Sequence, residues 1–201
     1  METLVTAEKK GIELVLHRKE FLPVNDEYRP FKIVSRRDRW MENYEVPLCV
    51  KALSLPRHKR ILDVGCGAGF GLVSLSKYCL PVKLVGIDID PYLLSLAEKK
   101  LVEQNVYAEL RQEDVRNMPF PDESFDIIVD FGTNYHINRR VRALNEITRV
   151  LAKGGIYVCE TPLNQLISHP FRSISKRIPW QKAPQLRISR SALMWNSRVK
   201  V

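Results

Sequence analysis

Residues 61–71 read Ile-Leu-Asp-Val-Gly-Cys-Gly-Ala-Gly-Phe-Gly, and no other stretch constrains the fold of this chain as strongly. A short apolar run ends in alternating glycines, and Leu72, Val73 and Leu75 then restart at helical spacing. The pattern predicts a strand, a tight turn and a helix. Glycine supplies the turn dihedrals and leaves the backbone open to close approach. A second β-rich run over 82–89 ends in Ile87-Asp88-Ile89-Asp90, about 20 residues beyond the first glycine.

The rest of the chain repeats this alternation. Strands are expected at 61–64, 83–88, 106–111, 126–131 and 155–160, and helices at 72–78, 91–104 and 138–151, with Asp90 as N-cap and Pro91 at the first helical position of the second. Alternating strands and helices imply an α/β fold, a doubly wound and mostly parallel sheet in three layers. Right-handed crossovers and the strand order 3-2-1-4-5 would set Gly65, Asp88, Asp114 and Asp130 along one carboxyl edge, where such sheets bind ligands. Residues 39–55 read as one or two helices broken near Pro47. Residues 1–36 carry mixed charge and fit a strand or extended arm. Beyond 161, a helix over 164–178 interrupted by Pro170 and short strands at 185–189 and 193–201 leave room for only a short antiparallel edge.

Asp88 ends the second strand where a carboxylate accepts hydrogen bonds from both hydroxyls of a ribose, and Asp90 is the competing choice as a first-turn helix acid. A dinucleotide fingerprint would need glycine or alanine where Phe70 stands. A phosphate-binding P-loop would need Lys-Ser or Lys-Thr where Leu72-Val73 stand. The pattern Asp63-x-Gly65-x-Gly67-x-Gly69 instead resembles the first motif of class I S-adenosylmethionine methyltransferases. The resemblance continues through Glu113-Asp114-Val115, through Phe125 to Asp130, and through Arg149 to Gly155, covering about residues 57–161 in the family's order.

That resemblance implies S-adenosyl-L-methionine as cofactor and no metal. It implies cofactor contacts from Asp63, Gly65, Cys66, Gly67, Gly69, Asp88, Ile89, Asp114, Val115 and Asp130, with Asp88 on the ribose and Asp114 on the adenine amino group. Asp63 either touches the methionine moiety or only organises the loop, and Glu113 is expected at the surface. The segment 132–137 would line the acceptor pocket. There His136 is the candidate general base, or else a structural histidine capping the next helix, and Tyr135 is a pocket wall. Residues 1–56 would form an arm and lid, 57–162 the core, and 163–201 a basic C-terminal extension, all within one domain.

Asp130-Phe131-Gly132-Thr133 lacks the prolyl pair of nucleobase amino-methylases, and no reactive cysteine of the RNA cytosine-C5 type lies nearby. The chain is most similar to the broad type 11 group that methylates small molecules such as quinone precursors and fatty or polyketide acids. The expected activity is methyl transfer to an oxygen or carbon of a small apolar or anionic acceptor. An RNA-modifying enzyme and a non-catalytic cofactor-binding subunit are the alternatives.

Charge is unevenly distributed. Residues 61–130 hold 6 Lys and Arg against 12 Asp and Glu, whereas 131–201 hold 13 against 2. The segment beyond 163 carries eight basic residues and no acid, and reads either as a solvated tail or as a surface for an anionic partner such as RNA or a membrane headgroup. Acidic and basic residues interrupt any secretory signal in the first twenty positions, and no run of 18 apolar residues occurs, so a cytoplasmic protein is expected. Cys49, Cys66, Cys79 and Cys159 show no metal-ligand spacing and read as reduced packing residues.

Overall fold

A computed structural model describes residues 4–9, 12–17, 35–134, 137, 139–159 and 196–200. In chain order the elements are β1 (Leu4–Lys9), β2 (Ile12–His17), α1 (Ser35–Trp40), a π-helical turn (Met41–Glu45), α2 (Val46–Ala52), β3 (Arg60–Val64), α3 (Phe70–Cys79), β4 (Lys83–Asp88), α4 (Pro91–Gln104), β5 (Glu109–Gln112), β6 (Phe125–Asp130), α5 (Arg140–Val150), β7 (Leu151–Cys159) and β8 (Asn196–Lys200).

The strands form one sheet in the order β1-β2-β5-β4-β3-β6-β7-β8. Its five inner strands, β5-β4-β3-β6-β7, are parallel and keep the expected 3-2-1-4-5 order. The edges go further than the sequence indicated. β2 pairs in parallel with β5 and folds back antiparallel onto β1, so residues from the mixed-charge arm extend the sheet. Ile12, Leu14 and Val15 are buried, and burial overrides the polar residues between them. On the other side β8 runs antiparallel to β7, forming the short edge expected there.

Side chains alternate across the sheet, as the two-residue period of a strand demands. Ile61, Leu84, Ile127 and Val129 join α2, α3 and α4 in one core cluster, while Leu62, Val64, Val85 and Ile128 face α5 in a second. Helices therefore cover both faces, as expected for three layers.

Three places differ most from the sequence reading. Pro47 does not break its helix. It lies in the first turn of α2, and the preceding turn widens to a π register in which the Val46 N–H donates to Met41 O. β5 begins at Glu109 rather than 106, because Asn105 closes α4 in the left-handed conformation and the Val106 N–H returns to Leu101 O. β7 begins directly after α5 and absorbs the Lys153-Gly154-Gly155 turn as an irregularity in its pairing with β6. The expected helix over 164–178 and the strand at 185–189 lie outside the described residues.

Candidate active site

β3 delivers the chain into Gly65 at the carboxyl edge, and the loop stays left-handed at Gly65, Gly67 and Gly69 before α3 begins. Two of these glycines answer different needs. A β-carbon on Gly65 would collide with Thr133, whose hydroxyl donates to Val64 O at 3.1 Å. A β-carbon on Gly67 would meet nothing, so there glycine serves the backbone conformation and keeps the space beside it open.

The loop is tied to the end of β4. The Gly67 N–H donates to Asp88 Oδ2 and the Asp90 N–H to Asp88 Oδ1, both at 2.9 Å. The Cys66 N–H donates to Ile87 O. Burial pushes the Asp88 carboxyl up to about 6, and the backbone donors restrain that rise. Asp90 caps α4 by accepting from the Tyr92 N–H, which leaves Asp88 as the carboxylate facing the cleft.

That cleft encloses about 370 Å³ of space open to solvent, and its walls are Gly65, Ile87, Asp88, Ile89, Glu113, Asp114, Val115, Arg116, Thr133 and Ile137. Gly65, Asp88, Ile89, Asp114 and Val115 were expected from the sequence. Glu113 was expected at the surface but is buried in the wall beside Arg111, because the Glu113 N–H bonds Asp88 O and draws the chain across the end of β4. Arg116 was not anticipated from the sequence. Its guanidinium grips Asp114 through Nε and Nη2 at 2.7–3.1 Å, while its N–H donates to Asp114 Oδ1. Asp114 therefore sits where expected, with its charge already balanced by an arginine.

The remaining candidates lie behind the cleft. Asp63 is buried beneath the loop with Oδ2 against Gly71, and burial together with the charges of Asp130 and Asp88 pushes its carboxyl well up. Cys66 packs on Leu72 and Gly86 in the core, and burial raises its thiol well above the ordinary value. Gly67 and Gly69 shape the loop from outside the wall. Asp130 departs most from expectation. It is 1% exposed and turned toward its own loop, accepting from the Gly132, Thr133 and Asn134 N–H groups and from the Tyr157 hydroxyl. A carboxylate already holding four donors organises the 132–134 turn instead of facing a ligand.

His136 and Tyr135 lie outside the described residues. Residues 39–55 do not line the cleft: Asn43, Tyr44, Pro47, Leu48, Val50 and Lys51 instead border a separate apolar hollow beside Tyr78. No helix among the described residues is long and apolar enough to cross a membrane, and no cluster there is suited to a metal.

A buried carboxylate above an open glycine loop, apolar walls at Ile89, Val115 and Ile137, and a parallel sheet in the order found together fit a nucleoside at the carboxyl edge. Residues 62–159 match the family model described as a methyltransferase domain. They are a class I methyltransferase domain. A demethylmenaquinone methyltransferase of Lactobacillus johnsonii is 31% identical over 164 residues, covering 78% of this chain and 65% of that protein. A phthiotriol/phenolphthiotriol dimycocerosates methyltransferase of Mycobacterium leprae is 35% identical over 97 residues, covering 48% of this chain and 35% of that protein. The crystal structure of the YcgJ protein from Bacillus subtilis superposes with a TM-score of 0.53 at 28% identity, covering 58% of this chain and 49% of that one. This chain thus spans less than two thirds of each of these proteins. S-adenosylmethionine is the cofactor that the methyltransferase domain implies, and the residues present fit it: the left-handed glycines leave the loop open, and the apolar walls and Asp88 suit an adenine ring and a ribose diol.

Proposed function

We propose that this chain transfers a methyl group from S-adenosylmethionine to an oxygen or carbon of a small, lipid-like or acidic acceptor. The observation that carries the reading is the cleft itself, in which the methyltransferase domain joins Gly65, Asp88 and Val115 into one wall. The acceptor class rests on the two relatives whose names specify a demethylmenaquinone and a phthiotriol lipid.

The cofactor supplies an electrophilic methyl on a sulfonium, so the protein has to align a nucleophile and exclude water. Asp88 would accept the ribose hydroxyls and keep the nucleoside in register with the loop that it also anchors. Ile89, Val115 and Ile137 would enclose the adenine, and the Asp114–Arg116 pair would close the wall behind it without a net charge. Gly65 and Gly67 would let the methionine arm approach the backbone. The 132–137 segment would form the acceptor side, where Thr133 and Ile137 already border the cleft. For a hydroxyl or acidic carbon, His136 would take the released proton.

Methyl-labelled S-adenosylmethionine incubated with the protein and a cell extract tests this reading. Label recovered in the solvent-extractable fraction is the expected result. Nuclease-sensitive label in the RNA fraction would overturn it and assign the basic segment beyond 163 to substrate docking.

A further inference from the structure

Asn134 follows the cleft residue Thr133 and belongs to the turn that Asp130 organises. Its Nδ2 donates to the Tyr157 hydroxyl at 2.6 Å, and that hydroxyl donates to Asp130 Oδ2 at 3.1 Å. Proton arithmetic fixes the orientation. Tyr157 has one hydroxyl proton and Asp130 is its acceptor, so the tyrosine oxygen is left to accept, and only the amide nitrogen of Asn134 can serve it. The amide oxygen is thereby turned the other way. Asn134 Oδ1 is buried and has no hydrogen-bond partner.

Such an atom is costly. An unmet buried acceptor destabilises a fold by about 1–3 kcal/mol, and native proteins keep few of them. Here the cost is sustained by a relay that spans β6, the 132–134 turn and β7. The relay does not exist to bury Tyr157, since a phenylalanine would pack on β7 without needing Asp130 or Asn134. Thr133, directly before it in the chain, and Ile137, three residues on, both line the cleft, which puts Asn134 next to the cleft wall along the chain.

We propose that Asn134 Oδ1 recognises the methyl acceptor by taking a hydrogen bond from a hydroxyl or amino group on it, with Tyr157 and Asp130 as positioning residues. The inference rests on the methyl-transfer reading and narrows it to acceptors that bear an O–H or N–H donor. A fully alkylated or purely hydrocarbon compound would leave the amide oxygen unmet and be rejected, because a site built to hydrogen-bond a group discriminates strongly against analogues that lack it.

The test compares wild type, Asn134→Ala and Tyr157→Phe in three measurements: rate of label transfer into the solvent-extractable fraction, affinity for S-adenosylhomocysteine, and melting temperature. Asn134→Ala is expected to slow transfer about 10- to 100-fold, to leave cofactor-product affinity within about twofold, and to melt close to wild type, because removal of the unsatisfied acceptor offsets loss of the amide's bond to Tyr157. Tyr157→Phe should raise the acceptor KM at unchanged cofactor affinity. Mass spectrometry of the labelled wild-type product should show a compound whose precursor carries a hydroxyl or amino group. Undiminished transfer by Asn134→Ala would overturn the inference, as would parallel loss of melting temperature and cofactor affinity, or a labelled compound whose unmethylated precursor lacks such a group. A wild type that transfers no label would overturn the methyl-transfer reading itself, an outcome distinct from an active wild type with an equally active Asn134→Ala.

Discussion

Thr133 fills the volume that a β-carbon on Gly65 would need, and its hydrogen bond to Val64 O fixes it there. The glycine loop after β3 and the 132–134 turn after β6 are thus fitted to each other at the ends of two neighbouring strands. Gly65→Ala must displace Thr133 and place a non-glycine residue at φ +69°. Together these should destabilise the fold by about 2–4 kcal/mol and abolish tight cofactor binding. Thr133→Ala alone should cost about 1 kcal/mol. In the double variant the clash is gone, so thermal melts should show less destabilisation than the sum of the single changes. Strict additivity would show that the two residues do not share this space.

Asp88 predicts two opposite responses to pH. Its carboxyl is raised in the folded chain to about 6 from the ordinary value of 3.8. Protonation therefore favours the folded state, and this contribution, about 3 kcal/mol, is fully present below pH 3.8 and lost as pH rises through about 6. Binding runs the other way, because ribose hydroxyls donate to the charged form. Calorimetry with S-adenosylmethionine should show affinity that is flat above pH 7 and weakens below about 6, approaching tenfold per pH unit at the limit. Asp88→Asn should bind weakly at every pH and lose the slope. An affinity independent of pH between 5 and 8 would remove Asp88 from the ribose contact.

The inner sheet was legible because apolar runs ending at Gly65 and Asp88 declare strands buried on both faces, and their order follows from crossover handedness. Of the wall residues, Gly65 and Asp88 were legible for the same reason, standing at the carboxyl ends of their strands, whereas Ile89, Asp114 and Val115 were reached through the family resemblance. What escaped depends on partners distant in sequence. Asp130 looked like another edge carboxylate, and only Tyr157 on β7, with the turn folding back, shows that its lone pairs are taken. Arg116 carried no signal in the sequence, and only its pairing with Asp114 puts it in the wall. The β1–β2 hairpin was obscured because alternating charges such as Glu8 and Glu13 mask a pattern that becomes apolar only where β2 meets β5. Asn105 postponed β5 by a local helix ending that composition alone does not reveal.

Arg149 should be the main structural tie of the 117–123 loop. It donates to Met118 O, Phe120 O and Asp122 Oδ1 and makes two further bonds to Glu146, while Glu146 accepts from the Met118 N–H. Arg149→Lys keeps the charge and loses the planar fork, so it should destabilise by about 1–3 kcal/mol despite its conservative appearance. The hydrogen bonds from Arg149 hold the Glu146 carboxyl below its usual range. A depressed carboxyl stabilises above the unfolded value, and the contribution disappears as pH falls through the folded one. The acid limb of the wild-type stability curve should accordingly be steeper than that of Arg149→Lys. Coincident curves would show that the loop is held by other contacts.

Cys66 invites a nucleophilic role that its surroundings argue against. The thiol is buried, and burial together with the Asp88 and Asp63 carboxylates raises it well above the ordinary value, so the thiolate needed for attack is scarce. Its sulfur lies 2.9 Å from where a β-carbon on Gly86 would stand, in space closed by Leu72. Size is then what the position selects. Native protein at pH 8 should leave Cys66 unlabelled by a thiol reagent over times in which unfolded protein reacts completely, and Cys66→Ala should bind S-adenosylmethionine within about threefold of wild type. Cys66→Leu should fail, since the added volume must displace Leu72 or β4 and overpacking of this kind costs about 1–3 kcal/mol. Rapid labelling of Cys66 in the folded chain, or loss of binding in Cys66→Ala, would return the thiol to the chemistry of the site.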